Sequence, residues 1–217
     1  FNAADTSLTI TDSSTLDRDT GQKPININEQ DNGTVTIHFG SSAVGTANTV
    51  AGNDTTGLTV NNSGTITSTG AKAINLLDST DASIVNNSGG IINSKTNAIS
   101  ISKNGTTPDN ITITNSGTIY TTNGSTNTIV FHSSATDSTI TNNSGGHIYN
   151  TSTNAVIAIG KTTTLTNSGK IENKQSPSEE SIKVQGGNNT IILKDGGIVI
   201  GTIQNSSANT NTLKIQH

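Results

Sequence analysis

The sequence predicts an all-β chain wound as a single right-handed parallel β-helix of about seven coils of 24–28 residues. Three observations carry this prediction. The tripeptide Asn-Ser-Gly begins at Asn62, Asn87, Asn115, Asn143 and Asn167, in steps of 25, 28, 28 and 24 residues, and an isoleucine follows each copy. Between copies, apolar and polar residues alternate in short bursts, the period-two pattern of strands with one buried face. Only 29% of residues are apolar and 2% aromatic, too few for a globular core. They suffice for a thin column in which each coil covers the next. Low hydrophobicity alone would suit a disordered chain. The small net charge of −4, the three prolines and the regularly placed Ile, Val and Thr argue for strands instead.

Residues 1–30 carry no clear copy of the repeat, and Thr11 to Lys23 is long and irregular. This region reads as an N-terminal cap or irregular first coil that shields the first exposed sheet edge. Residues 31–217 are the β-helix. A weak copy opens it at Asn32-Gly33-Thr34-Val35. Leu58 and Val60 then precede a corner, followed by Ile66, Ile74 and Leu76. The next coil offers Ile84 or Val85, Ile91 or Ile92, Ile99 and Ile101. Ile111, Ile113, Ile119, Ile129 and Phe131 come after, then Ile140, Ile148 and Val156 or Ile157. Leu165, Ile171, Ile182 and Val184 lead to a last weak copy at Asp195-Gly196-Gly197-Ile198. A leucine-rich repeat of similar length would carry a Leu consensus and helical segments, which are absent here.

The recurring tripeptide reads as structural. Coils stack about 4.8 Å apart, so each corner position becomes a ladder. Asn62, Asn87, Asn115, Asn143 and Asn167 are expected to bond amide to amide up the stack. Gly64, Gly89, Gly117, Gly145 and Gly169 would supply tight or left-handed backbone, and the serines would cap local backbone groups. The extra glycine in Gly89-Gly90 and Gly145-Gly146 reads as a one-residue bulge.

Strings such as Ile113-Thr114-Asn115-Ser116-Gly117-Thr118-Ile119 and Leu165-Thr166-Asn167-Ser168-Gly169-Lys170-Ile171 resemble the passenger domains of bacterial autotransporters. So does the closing run from Asn189-Thr190-Ile191-Ile192-Leu193 through Gly201-Thr202-Ile203 to Asn211-Thr212-Leu213-Lys214-Ile215. The resemblance covers roughly residues 30 to 217. It implies export through the periplasm and outer membrane to the cell surface, with membrane attachment only through a C-terminal β-barrel outside these residues. It further implies an adhesin or a self-association factor for aggregation or biofilm. The partner would be another copy of the chain or a host surface protein or glycan. A structural stalk for another module and a carbohydrate-active β-helix enzyme are the alternatives. The start at Phe1 reads as a processed or excised chain.

Motifs for chemistry are sparse, and the expectation is a non-enzyme without cofactor or metal. There is no cysteine, hence no disulfide and no thiolate metal site. The mild acidity, with Arg18 the single arginine, argues against nucleic acid. No apolar run approaches the ~20 residues of a membrane-spanning helix. Neither Gly-Asp-Ser-Gly nor Gly-x-Ser-x-Gly occurs, so no nucleophilic serine is marked. Among the acids Asp54, Asp78, Asp81, Asp109, Asp137 and Glu172, three (Asp78, Asp109, Asp137) have spacing that would let them share an edge. Asp as a turn starter is the favoured explanation of them. Glu179 and Glu180 read as solvated. His38, His132, His147 and His217 lack metal spacing. His147 is expected exposed at a corner, and His132 outward if Phe131 is inward. Sequons such as Asn110-Ile111-Thr112 and Asn123-Gly124-Ser125 follow from composition. Binding is expected on the loops Lys103 to Asn110, Thr121 to Thr126 and Lys174 to Glu180, or on the flat Thr/Asn/Ser faces.

Overall fold

A computed structural model describes residues 7–11, 14–18, 23–29, 31–122 and 126–216 of the 217-residue chain. The first coil holds β1 (Ser7–Ile10), β2 (Thr15–Arg18) and β3 (Ile25–Asn28). The second holds β4 (Thr34–Ile37), β5 (Ser42–Gly45) and β6 (Val50–Asn53). The third holds β7 (Thr59–Asn62), β8 (Thr65–Ser68) and β9 (Ile74–Leu77), and the fourth β10 (Ser83–Asn86), β11 (Ile91–Ser94) and β12 (Ile99–Ser102). The fifth holds β13 (Thr112–Asn115), β14 (Thr118–Thr121) and β15 (Ile129–Phe131), and the sixth β16 (Thr139–Asn142), β17 (His147–Asn150) and β18 (Ile157–Ile159). The seventh holds β19 (Thr164–Asn167), β20 (Lys170–Asn173) and β21 (Glu180–Val184), and the eighth β22 (Thr190–Leu193), β23 (Ile198–Ile200) and β24 (Thr202–Asn205). β25 (Thr212–Ile215) begins a ninth.

Each strand pairs in parallel with the strands one coil below and above. The result is a right-handed β-helix with a first sheet of nine strands and second and third sheets of eight each. It has eight turns among the described residues, one more than the repeat count suggested. The extra turn comes from the region read as a cap or irregular first coil, and the second of those readings is the one that fits. Its strands β1, β2 and β3 pair in register with β4, β5 and β6, so it is a coil of the same solenoid.

The alternation in the sequence becomes an inward column on each sheet. The first sheet stacks Val60, Ile84, Ile113, Ile140 and Leu165. The second stacks Ile66, Ile92, Ile119, Ile148 and Ile171. All of these are fully buried. Ile92 and Ile84 are therefore the inward members of their pairs, and Ile91 and Val85 face out. The third sheet turns two apolar residues per strand inward, such as Ile99 and Ile101 or Ile129 and Phe131, where the other sheets turn one apolar and one polar. That doubling is how so poor an apolar content fills the column. Removing one side chain at its centre, as in Ile113→Ala, costs about 2–5 kcal/mol.

From the second coil to the eighth, the corners between first and second sheets come in two lengths that alternate coil by coil. In the third, fifth and seventh coils the corner is short: Asn62-Ser63-Gly64, Asn115-Ser116-Gly117 and Asn167-Ser168-Gly169. In the fourth and sixth it is two residues longer, because Asn86 and Gly90, or Asn142 and Gly146, hold the positions of Asn62 and Gly64. The inserted residues form a turn closed by Gly90 N–H to Asn87 O at 2.9 Å and Gly146 N–H to Asn143 O at 2.9 Å. The second and eighth coils make the same turn at His38 to Ser41 and Lys194 to Gly197. Repeats of the tripeptide thus fall on two different structures.

Candidate functional site

The corner ladder differs from the one the tripeptide suggests. The buried column is Asn62, Asn86, Asn115, Asn142 and Asn167, and each Nδ2 donates to the next Oδ1 at 2.8 Å. Asn87 and Asn143 are not rungs of it. They sit in the protruding turns and donate down to the corner serines, Asn87 to Ser63 Oγ at 3.0 Å and Asn143 to Ser116 Oγ at 2.9 Å. The reason is register: the strand face that carries Ile84 inward also carries Asn86 inward, two residues on. Ile37 lies beneath Asn62 and Leu193 above Asn167, which end the column. Asn62 Oδ1 accordingly has no hydrogen bond.

Glycine also has two reasons rather than one. At Gly117 a Cβ would run into the carbonyl oxygens of Gly90 and Asn87 in the coil below, so close stacking demands glycine there. Gly64 and Gly169 meet the same crowding, and Gly90 and Gly146, not Gly89 and Gly145, are their equivalents. At Gly145 nothing lies within 4 Å, and the demand is a left-handed backbone with φ 84°. The expected left-handed backbone therefore belongs to the long corners alone.

The opposite corner, from third to first sheet, explains the aspartates. Its turn position has φ of 53° at Asp81, 52° at Asn110 and 48° at Asp137. Short polar side chains tolerate that conformation. Asn110 Nδ2 donates to Asp81 Oδ1 at 2.6 Å. Asp109 is one residue earlier and accepts from Thr136 Oγ1 at 2.7 Å. Asp78 accepts the N–H groups of Asn104 and Gly105, pinning the start of the Lys103 to Asn110 loop. Asp78, Asp109 and Asp137 thus stand at three different positions of the coil and form no shared carboxylate site. Among the described residues, no three His, Cys, Asp or Glu side chains gather as a metal site would require. His38 and His132 are exposed, and His217 lies outside the described residues. Of the loop Thr121 to Thr126, residues 123–125 lie outside them too.

One outward face breaks the Thr/Asn/Ser monotony. On the second sheet a column runs Thr67, Asn93, Tyr120, Tyr149 and Glu172. Beside it runs Thr118, His147, Lys170 and Ile198. Both of the chain's tyrosines are here. Their rings stack with centroids 4.9 Å apart and planes within 3°, because the coil rise sets the spacing. Lys174 reaches over Tyr149 with its Nζ 3.4 Å from the ring centre, a cation–π contact. The His147 ring lies 4.7 Å from that of Tyr149. Glu172, with its side chain 16% exposed, accepts from Lys170 Nζ at 2.8 Å and from His147 Nε2 at 3.0 Å. A notch of about 350 Å³ opens onto His147 and Lys170. It lies above the short corner Ser168-Gly169, between the protruding turns of the sixth and eighth coils.

Electrostatics follow from this packing. Burial lowers the His147 pKa; the hydrogen bond to Glu172 opposes this, and the charge of Lys174 adds to it. His147 is therefore neutral at neutral pH and donates its Nε2–H to the carboxylate. Burial alone would raise the Glu172 pKa, but hydrogen bonding and charge from Lys170, then His147, hold it below the ordinary carboxylate value. Burial raises the Tyr149 pKa, keeping the phenol neutral as a donor. The patch offers ring edges, a phenolic donor, ammonium groups and a carboxylate on rigid strands. Those are groups for recognition. His147 is half-buried on a strand rather than exposed at a corner, which the double glycine before it did not reveal.

Comparison with known protein families, curated proteins and solved structures finds no match to this chain.

Proposed function

We propose that this β-helix is a cell-surface binding scaffold, the passenger of an autotransporter, that mediates adhesion or self-association. The observation that carries the reading is the second-sheet patch. Lower in the same outward column stand Thr67 and Asn93, whereas Tyr120, Tyr149 and Glu172 take their place above, with His147 beside them. Aromatic and charged groups concentrated on a rigid face are what recognition uses. Partners of matching chemistry are a host surface protein or glycan, or a second copy of the chain. In this reading the chain is exported to the outside of the cell and held there by a C-terminal β-barrel beyond these residues. The uniform Thr/Asn/Ser faces below the patch would act as spacer, which joins the stalk reading to the adhesive one. Display of the chain on cells that lack other adhesins tests it. Settling of the cells or attachment to host cells is expected, and both should fall when Tyr120 and Tyr149 are changed to Ala together. Display with neither effect would remove the reading.

A further inference from the structure

The third sheet differs from the other two in shape. On the first and second sheets the outward residues are half-exposed, as in β8 and β10. On the third sheet, in the second to fourth coils, they are sunk: Ala51, Asn75 and Ser100 face outward yet are 0%, 7% and 3% exposed. The face is concave, with the turn before each strand as one rim. That rim carries Asn48, Asn97 and Asn127 at equivalent places, two residues before Val50, Ile99 and Ile129. In the third coil the same place holds Lys72.

Lys72 does not point away into solvent. Its Nζ bends over the floor and donates to Asn75 Oδ1 at 2.9 Å and to Ser102 Oγ at 3.4 Å. Ser102 in turn hydrogen-bonds Ser100 at 2.9 Å. Among the described residues no carboxylate forms an ion pair with Lys72. An ammonium has three donors, so one N–H is left for a ligand. Burial lowers the pKa of this amine and no neighbouring charge counters it. A half-buried cation without a counter-ion gains from binding an anion.

We propose that Lys72, Asn75, Ser100 and Ser102 form a site for the carboxylate of an acidic saccharide. The surroundings favour a sugar over an acidic peptide. Every inner strand of this sheet is already paired on both sides, so no edge is free to add a peptide strand. Under the Lys72 ammonium the floor offers the amide of Asn75 and the hydroxyls of Ser100 and Ser102, which match sugar hydroxyls, with Ala51 and Leu77 beside them for the apolar face of a ring. Higher on the same face the floor passes Val130 and Ala158 to a hollow of about 270 Å³ lined by Glu179, Glu180 and Lys183, where Lys183 pairs with Glu180 at 3.6 Å, so the anion site is confined to Lys72 and its neighbours. The site is independent of the second-sheet patch and stands whether or not that patch is adhesive.

Calorimetry with a tetramer of galacturonic acid, its methyl ester, acetate and polyglutamate tests the assignment on the whole chain. Binding of the tetramer is expected, weakened about tenfold or more by esterification and by Lys72→Gln, and largely kept by Lys72→Arg. The Lys72 side-chain resonances should shift on adding the tetramer and not the ester. Thermal unfolding identifies a Lys72→Gln chain that fails to fold, and Ser102→Ala then serves as the second variant. The proposal is overturned if the ester binds as well as the acid, or if neither variant weakens binding. Tighter binding of polyglutamate or equal binding of acetate would overturn the saccharide assignment, and no binding of the tetramer would overturn the site.

Discussion

Asn115-Ser116-Gly117 and Asn143-Ser144-Gly145 are the same three residues in adjacent coils. In the first, the asparagine is a dry rung of the amide column and the glycine lies flat against the coil below. In the second, the asparagine stands in a protruding turn and holds Ser116 from above, and the glycine is left-handed and open to solvent. The buried jobs in that coil fall to Asn142 and Gly146. A short motif thus takes its role from what lies one coil away. The alternation of short and long corners also shapes the surface, because each short corner becomes a notch between two turns. One such notch borders the second-sheet patch.

The widest separation should appear at the glycines. Gly117→Ala forces a methyl group into two backbone carbonyl oxygens and should cost about 3 kcal/mol. Gly145→Ala meets only the left-handed penalty of about 1–2 kcal/mol. Urea unfolding midpoints compare them, and equal losses would break the distinction. The asparagines come next. Asn115→Ala leaves Asn142 Oδ1 without its donor and should cost about 2–3 kcal/mol, while Asn143→Ala removes one half-exposed bond worth about 0.5–1 kcal/mol. The reverse order in the same assay would restore the register suggested by the tripeptide.

A smaller effect on stability, with a large one on binding, is expected outside the column. Tyr149→Ala loses a stacked pair and a cation–π contact, about 0.5–1.5 kcal/mol. Attachment of displaying cells should drop far more than stability does; parallel loss of both would make the patch structural. The smallest signal is the titration of His147. Its NMR midpoint should lie below the ordinary 6.5, move lower in Glu172→Gln and move higher in Lys174→Gln. Because the folded state holds this proton less readily than the unfolded chain, stability falls as pH drops below 6.5. Glu172 acts in the same direction lower down: the unfolded chain binds its proton first, so the stability it contributes is lost as pH falls below 4.5. A midpoint above 6.5 would mean that Glu172 outweighs burial.

Much of the architecture is legible without coordinates. The inward isoleucines, the corner glycines as a class and the parallel stacking follow from alternation and repeat length, which are local properties of the chain. Within the candidate patch, Tyr120 and Tyr149 were legible only as rare residues. Their 29-residue separation does not announce a stack until β14 and β17 are known to pair in register. Lys174 and Glu172 lie on either side of a corner, and nothing in their spacing places one over a ring and the other under a lysine.

What the sequence by itself determined is the β-helix: three strands per repeat, with isoleucine inside, Thr and Ser outside, and polar corners. Strand formation and inward facing depend on neighbours two residues apart, so the chain states them directly. What only the tertiary structure decided is which asparagine is buried, why each glycine is needed, and where unlike side chains meet. Those depend on neighbours a full coil away, 24 residues for Asn62 and Asn86 and 29 for Asn86 and Asn115. Insertions at the corners shift that distance, and only the stacked backbone fixes which residues end up face to face.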